Sequence, residues 1–574
     1  MNFDPGMAKI EHVKRDKDGL DVWNDIFAHA KSGFASIPES DFARMRWYGI
    51  YQQKPNEGHF MWRIKLPGGR VTPAQLREIG AIANDYARGF GDITTRQDIQ
   101  LHWLTIENFP DCLDRVYKKV GLYTDFACGD TPRNVVGCPL DGVLKNQIVD
   151  VGNLVQGLSN MFRDGGKEFS NLPRKFKGSI SGCPLHCNQP QINDVAAFGV
   201  ERADGSRGLG IMVGGGLSST PHFAQSLRVF VPEAKIQEQI PQIFRHVAHI
   251  FRDADSLRYK RTRARLKFLV ADKGWQWFRD ELESRLGYPL EHDDSIVQPK
   301  GALHTDHMGR GEQKDGLWYV GIPIERGRWT GEQMIAAANL AERYAAPGKA
   351  HIRLSQKQNV LLPNIPKENL ADLTQALTDA GLTPHAPLWR EALVTCTGTQ
   401  FCNLAVAETK DRAQHILKYL EEQVELDSPI MVSVTGCPNS CSQYQIADVG
   451  LRGIPIPLDD KLRALGATSR LDSPKMTDGF DILVGGALGE NPEFTTEIVR
   501  KVPAAVVQRV IGALVENYKT NRVEDTDGEV ESFRDFVARN DVDQLRKWST
   551  IPDWTPPPPR PARPTPAGAA AAAV

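Results

Sequence analysis

The sequence predicts a mixed α+β protein built from two copies of one plan, each copy an α+β module followed by a longer α/β module. Three observations carry this. SGCPLHCNQPQINDVA from Ser181 and TGCPNSCSQYQIADVG from Thr435 agree at nine of sixteen positions, both cysteines included. GRVTPAQLREIGAIANDYA from Gly69 parallels GRWTGEQMIAAANLAERYA from Gly327, and LGIMVGGGLS from Leu209 parallels FDILVGGALG from Phe480. Matched positions stand 254 to 271 residues apart and keep the same order, far beyond a solenoid or propeller period, so the repeated unit is a large domain pair.

Residues 1–44 read as an N-terminal extension. The first thirty contain no apolar run of signal-peptide length, and no uninterrupted apolar stretch in the chain approaches the length of a membrane span. The cytoplasm is the expected compartment, where the nine cysteines serve as thiols, metal ligands or catalytic groups rather than disulfides. A charged fraction of 24% and a formal charge of -2 lack the basic excess of a nucleic-acid binder. Neither nucleic acid nor membrane is expected as a partner.

The first α+β module spans 45–122. In FMWRIKL, alternation places Phe60, Trp62, Ile64 and Leu66 on one strand face and Met61, Arg63 and Lys65 on the other. The helix from Gly69 follows, and TTRQDIQLHW then reads as a strand with Thr94, Arg96, Asp98, Gln100 and His102 on one polar face. The α/β module spans 123–290. Within LPRKFKGSIS, alternation puts Lys175 and Lys177 together and Phe176 opposite. Two such neighbours repel unless water screens them or an anion sits between them.

The turn VGGGL, Gly214–Gly216, is either a tight strand exit or a cradle of N–H groups for a carboxylate; it does not fit a dinucleotide fingerprint. SLRYKRTRARLKFLVADKGW reads as a basic amphipathic helix whose Arg261, Arg263, Arg265 and Lys267 face solvent, an acidic donor or a cofactor's carboxylates. A polar linker at 291–314 leads to the second copy, with modules at 315–390 and 391–550. The tail, 551–574, lacks the apolar content to fold.

Cys396 and Cys402, then Cys437 and Cys441, form two pairs suited to a [4Fe–4S] cluster or zinc. The closer pair reads as a helix start with Pro438 in its first turn. A rival quartet, Cys128, Cys138, Cys183 and Cys187, occupies the first copy with a looser opening pair. Spacing alone leaves open two metal sites or one working copy beside a degenerate one.

The combination TCTGTQFC and TGCPNSC within a duplicated chain resembles the siroheme and iron–sulfur sulfite and nitrite reductases over roughly residues 40–550. The resemblance implies two repeats, each a ferredoxin-like half-domain followed by a siroheme/Fe–S-type domain. It implies siroheme and a [4Fe–4S] cluster held by Cys396, Cys402, Cys437 and Cys441, with Cys441 shared between cluster and siroheme iron. Cys183 and Cys187 then look vestigial, a second metal site being the alternative. It further implies an anion pocket of Arg63, Arg133, Lys175 and Lys177, and a siroheme grip from Thr94, Arg96, Gln100, His102 and Arg174. His102 is assigned hydrogen bonding rather than iron ligation.

With no segment suggesting bound flavin or nicotinamide, electrons are expected from ferredoxin, or from a flavoprotein reductase. Lysine at 177, where nitrite reductases of the family often carry asparagine, favours sulfite over nitrite. The reading from another class is a non-catalytic iron–sulfur or zinc protein. Cys128, five residues before Arg133, is expected to line the substrate cavity; a thioether to Tyr51 is the less ordinary alternative.

Overall fold

Among the described residues four five-stranded sheets form, two for each copy. The computed structural model describes residues 4–53, 55–301, 306–470, 472–524 and 528–557. In the first sheet the order is Ile50–Gln52, Phe60–Ile64, Ile99–Leu104, Phe90–Ile93 and Arg328–Thr330, all antiparallel. Its counterpart runs Gly309–Glu312, Trp318–Ile322, Val360–Ile365, Ile352–Leu354 and Arg70–Val71. Each half-domain thus completes its sheet with a strand from the other copy.

The predicted alternation holds where the core decides it: Phe60, Trp62, Ile64 and Leu66 are all buried. The helices Pro73–Tyr86 and Gly331–Tyr344 open on matching capping boxes, Thr72 with Gln75 and Thr330 with Gln333, and pack against each other. Their approach requires glycine, because a Cβ on Gly80 would lie 2.7 Å from the Gly331 carbonyl oxygen.

The α/β modules repeat a second scheme. Gly178–Ser181 pairs in parallel with Val195–Glu201, and the sheet continues antiparallel through Arg207–Val213, Gln225–Pro232 and Glu291–His292. In the second copy Leu393–Thr395, Val432–Thr435 and Val449–Pro457 run parallel, followed by Met476–Val484 and Thr496–Pro503 antiparallel.

A pseudo-two-fold axis relates the copies, and matched residues meet across it. Gln189 and its twin Gln443 exchange amide hydrogen bonds of 2.8 and 2.6 Å. Gln191 Nε2 donates to the Gly489 carbonyl, while Gln445 Nε2 donates to the Ser218 carbonyl, both at 2.7 Å. Phe223 stacks on Phe494 with ring centres 3.8 Å apart.

Several expectations need correction. TTRQDIQLHW is not one strand: Thr94–Asp98 forms the hairpin turn, with Gln97 at φ 60°, and the strand begins at Ile99. The Gly-Cys-Pro segments start no helix. They are successive tight turns that place His186 and Gln189, and likewise Ser440 and Gln443, in the left-handed region. The basic run is two short 3₁₀ turns, Asp255–Arg258 and Arg261–Arg263, and a helix, Leu266–Lys273.

Nor does that run face solvent as a stripe. Arg258 is fully buried against Glu11, Arg261 pairs with Asp130 at the edge of a large cavity, Arg265 pairs with Asp194 at 2.8 Å, and Lys267 caps the carbonyls of Gly216 and Leu217, while Arg263 stays exposed beside Asp272 as expected. The glycine turn is a strand exit: the N–H groups of Gly214, Gly215 and Gly216 bond the carbonyls of Asp194, Asn193 and His222. The linker 291–314 carries an edge strand at each end. The N-terminal extension forms helices Lys9–Asp16, Trp23–Ser32 and Glu39–Arg44 that cover the first copy. At the tail, Ile551 and Trp554 belong to the second core and Asp553 pairs with Arg509; positions 558–574 lie outside the described residues.

Candidate functional site

A cavity of about 520 Å³ opens where the first half-domain, both α/β modules and the 396–406 loop converge. The strand Phe60–Ile64, having buried its apolar face, points Met61 and Arg63 into this space. The hairpin turn adds Thr94, Arg96 and Asp98, the next strand Gln100 and His102, and the segment before Gly178 adds Arg174, Lys175 and Lys177. Phe176 points away into the core, as alternation predicts.

The wall is strongly positive. Among the described residues, Arg46, Arg63, Arg96, Arg133, Arg174, Lys175 and Lys177 line it without forming an ion pair. Asp98 is the one carboxylate there in the same condition, its Oδ1 accepting from the Leu66 N–H at 3.2 Å. Burial, with Arg265 next, pushes the Lys175 ammonium down to about 7. Burial, with Arg96 next, holds Lys177 well below the usual lysine range. Arg174 falls to about 10 for the same first cause, and Asp98 rises to about 6 through burial. Such a wall is complementary to several anionic groups at once.

The predicted grip is uneven in what it leaves free. Arg96 spends Nη1 on Asn193 Oδ1 and Nη2 on the carbonyls of Asn134 and Gly178; only Nε is unpartnered. Thr94 Oγ1 accepts from the N–H groups of Arg96 and Asp98 and so holds the hairpin turn. His102 stacks on Phe401 with centroids 3.9 Å apart and meets Asp92 at 3.4 Å, which makes it a support for the loop that carries Cys402. Arg133 gives Nη2 to the Gly129 carbonyl and keeps Nη1 free, and Arg63 Nη1 donates to Cys128 Sγ at 2.8 Å. Cys128 and Tyr51 both line the cavity, with the Arg46 guanidinium 4.6 Å from the Tyr51 ring centre.

The second-copy cysteines line the same cavity. Cys396, Cys402, Cys437 and Cys441 all line the cavity. The segment carrying the first two is held by Val406 N–H donating to the Gly436 carbonyl and by Thr409 Oγ1 donating to the Cys396 carbonyl. Gly398 lies at φ 66°, and a Cβ there would come 2.6 Å from Thr409 Oγ1. Gly436 N–H points at Cys396 Sγ at 3.2 Å. Burial pushes the Cys396 thiol up to about 12, with Cys441 adding to it, and raises Cys402 and Cys437. A metal centre reverses that penalty by binding the thiolates.

Cys441 is the exposed member of the set, and its carbonyl accepts from Thr95 Oγ1 at 3.0 Å, joining the first copy's hairpin to the second copy's cysteine turn. A polycarboxylate macrocycle against the cations and a cubic iron–sulfur cluster against the thiols both fit the residues present. Sequence reasoning missed Arg46, which carries no motif, and Phe401, which stands inside TCTGTQFC but whose stacking on His102 is a tertiary contact. It also missed that Asp194 draws Arg265 inward.

The sequence matches the nitrite and sulphite reductase 4Fe-4S domain over residues 128–290 and 390–554. It matches the nitrite/sulfite reductase ferredoxin-like half domain over 51–119 and 310–380. It is 35% identical to the assimilatory ferredoxin-dependent nitrite reductase of Haloferax mediterranei, across 94% of this chain and 93% of that one. It is 36% identical to the sulfite reductase [ferredoxin] of Mycobacterium tuberculosis, across 93% and 95%. The solved structure of the M. tuberculosis NirA protein superposes with a TM-score of 0.83 at 35% identity, covering 93% of this chain and 97% of that one. With both repeated domains matched along most of its length, the chain belongs to the nitrite and sulphite reductase family and is an oxidoreductase.

Proposed function

We propose that the protein reduces sulfite to sulfide with six electrons at a siroheme coupled to a [4Fe–4S] cluster, receiving those electrons from reduced ferredoxin in the cytoplasm. The observation that carries this reading is the cavity itself, lined by unpaired cations and by four cysteines, with Cys441 the exposed one of the four. When bound, the cofactor pair supplies electrons to the central atom of the anion. The chain's own residues do the rest.

Arg63, Arg133, Lys175 and Lys177 bind the oxyanion and orient it, and Arg174 with the free Nε of Arg96 faces the cofactor's carboxylates. Lys175, held at about 7, is matched to physiological pH as a proton donor while each oxygen leaves as water. Ferredoxin as donor follows the names of the relatives, and the same residues support nitrite reduction to ammonia as the second reading.

The test is purification with its native pigment, followed by steady-state turnover of each anion with reduced ferredoxin. Chlorin-type visible bands and reduction of sulfite are expected; a colourless protein that reduces neither anion overturns the proposal. Lys177→Asn distinguishes the substrates. Losing a cation weakens a dianion more than a monoanion, and a charge-assisted hydrogen bond contributes about 1.5–3 kcal/mol. The sulfite-to-nitrite ratio of kcat/KM is expected to fall by roughly tenfold, and an unchanged ratio removes Lys177 from the discrimination.

A pH dependence follows from Lys175. Burial holds its ammonium at about 7 in the anion-free cavity and a cofactor's carboxylates raise it from there, so on the alkaline side the neutral amine dominates and binding must recruit a proton. Nitrite is the cleaner probe, because its own charge is constant near neutrality. Its KM is expected to rise as pH climbs above neutrality, with proton uptake on binding measurable by calorimetry in two buffers of different ionisation enthalpy. A flat KM with no proton uptake would show that Lys175 does not titrate there.

A further inference from the structure

The cysteines of the first copy are not scattered remnants. Bridging of Val136 to Ser179 matches the pairing of Val394 with Ser433, so Cys138 occupies the place of Cys396 as Cys183 and Cys187 occupy those of Cys437 and Cys441. Three members of the cofactor-side set therefore recur by symmetry. The fourth does not: six residues beyond Cys138, where Cys402 would stand, is Leu144. Cys128 is elsewhere, on the anion cavity.

The vacancy is filled from the inter-repeat segment. His307 Nε2 lies 3.7 Å from Cys138 Sγ, and Cys138, Cys187 and His307 bring their ligand atoms within 4.8 Å of one another. Cys183 packs in the same buried cluster as Cys138 and Cys187, its sulfur standing outside that 4.8 Å triad. All four side chains are buried, in a pocket walled by Leu140 and Leu361.

The dimensions discriminate between metals. With Zn–S near 2.3 Å and Zn–N near 2.0–2.1 Å, a tetrahedral site has S···S edges of about 3.8 Å and S···N edges of about 3.6 Å. The 3.7 Å contact between His307 and Cys138 matches one such edge, and the other separations of the Cys138, Cys187 and His307 triad stay within 4.8 Å, short of the spread a cluster needs. An iron–sulfur cube, with each thiolate on a separate iron, holds its ligands further apart.

We propose that Cys138, Cys183, Cys187 and His307 form a tetrahedral Zn²⁺ site, a second metal centre related by the pseudo-two-fold axis to the cysteine set at Cys396. Its role is structural, fastening the inter-repeat segment to the first α/β module. Binding displaces three thiol protons and leaves one net negative charge on the centre. Arg353, bonded to the carbonyls of Pro139 and Asp141, and buried Lys357 stand nearby to offset it. Further support comes from Leu185 N–H, 3.5 Å from Cys183 Sγ, and from Asp141, which accepts from the Cys138 N–H at 3.0 Å.

Metal analysis of the pigmented holoenzyme is expected to give about one equivalent of zinc beyond its iron. His307→Ala and Cys187→Ser should each lose most of that zinc with iron content unchanged. Should either variant fail to fold, X-ray absorption at the zinc edge of the wild-type protein reads the ligands directly, and a three-sulfur, one-nitrogen shell is expected. Four results overturn the proposal: zinc absent from wild-type protein prepared without chelators, an oxygen-rich zinc shell, iron lost with His307→Ala, or a disulfide at Cys138 in peptide mapping.

Discussion

Cys441→Ser is expected to abolish turnover of both anions and to lower the iron content of the purified protein. Serine offers a hard oxygen where a soft thiolate is needed, and Cys441 is the exposed one of the four cysteines lining the cavity. Loss of an outer-shell partner costs roughly 10–100-fold. Loss of a ligand shared by two centres should exceed that. Iron analysis and visible absorption, measured beside steady-state kinetics, check it; a variant with wild-type iron, spectrum and turnover would move the shared position away from Cys441.

The second large effect concerns Lys175. Lys175→Ala should lower kcat by about 10²–10⁴-fold while the visible spectrum is retained, since a positioned proton donor contributes that much. Lys175→Arg separates charge from proton transfer. Arginine keeps the positive charge but does not release a proton near neutrality, so anion KM should stay close to wild type while kcat remains low. If arginine restores kcat, Lys175 acts by charge alone and the protons come from elsewhere.

How much of this was legible in sequence depended on what held each segment in place. The strand around Arg63 was readable because its alternate residues fill a core, and Phe60 to Leu66 could hardly be arranged otherwise. TTRQDIQLHW alternates equally well, yet its first half is a turn. The misreading came from a glutamine, Gln97, taking the left-handed conformation normally announced by glycine; its twin Gln358 does the same, and each amide crosses to a carbonyl of the other copy, Gln97 to Leu354 and Gln358 to Ile93. Those contacts are tertiary and leave no local mark.

The paired lysines at 175 and 177 were found as an oddity, two like charges on one face. The reason for the oddity, a buried wall where Asp92 and Asp130 are already paired with other cations, needed the fold. The basic run from Arg258 was misplaced because amphipathic spacing does not reveal that Glu11, Asp130 and Asp194 wait inside. His307 was invisible for another reason, standing more than a hundred residues from each cysteine it meets. The two-residue strand at Arg70–Val71 lies below any pattern that sequence can display.

That short strand and its partner at Arg328–Thr330 make the copies mutually dependent. Two half-length polypeptides with the same exchange would form a symmetric homodimer carrying two equivalent turn sites. Joining them in one gene removes the obligation of equality. A substitution on one side is no longer copied to the other, so Leu144 can replace what Cys402 retains, and cations can gather on one copy while its twin supplies the thiols. Covalent fusion is thus what permits a single lopsided chamber beside an axis that still pairs Gln189 with Gln443. Cutting the chain within 302–305 and co-expressing the pieces would keep one copy of each half without making the halves equal.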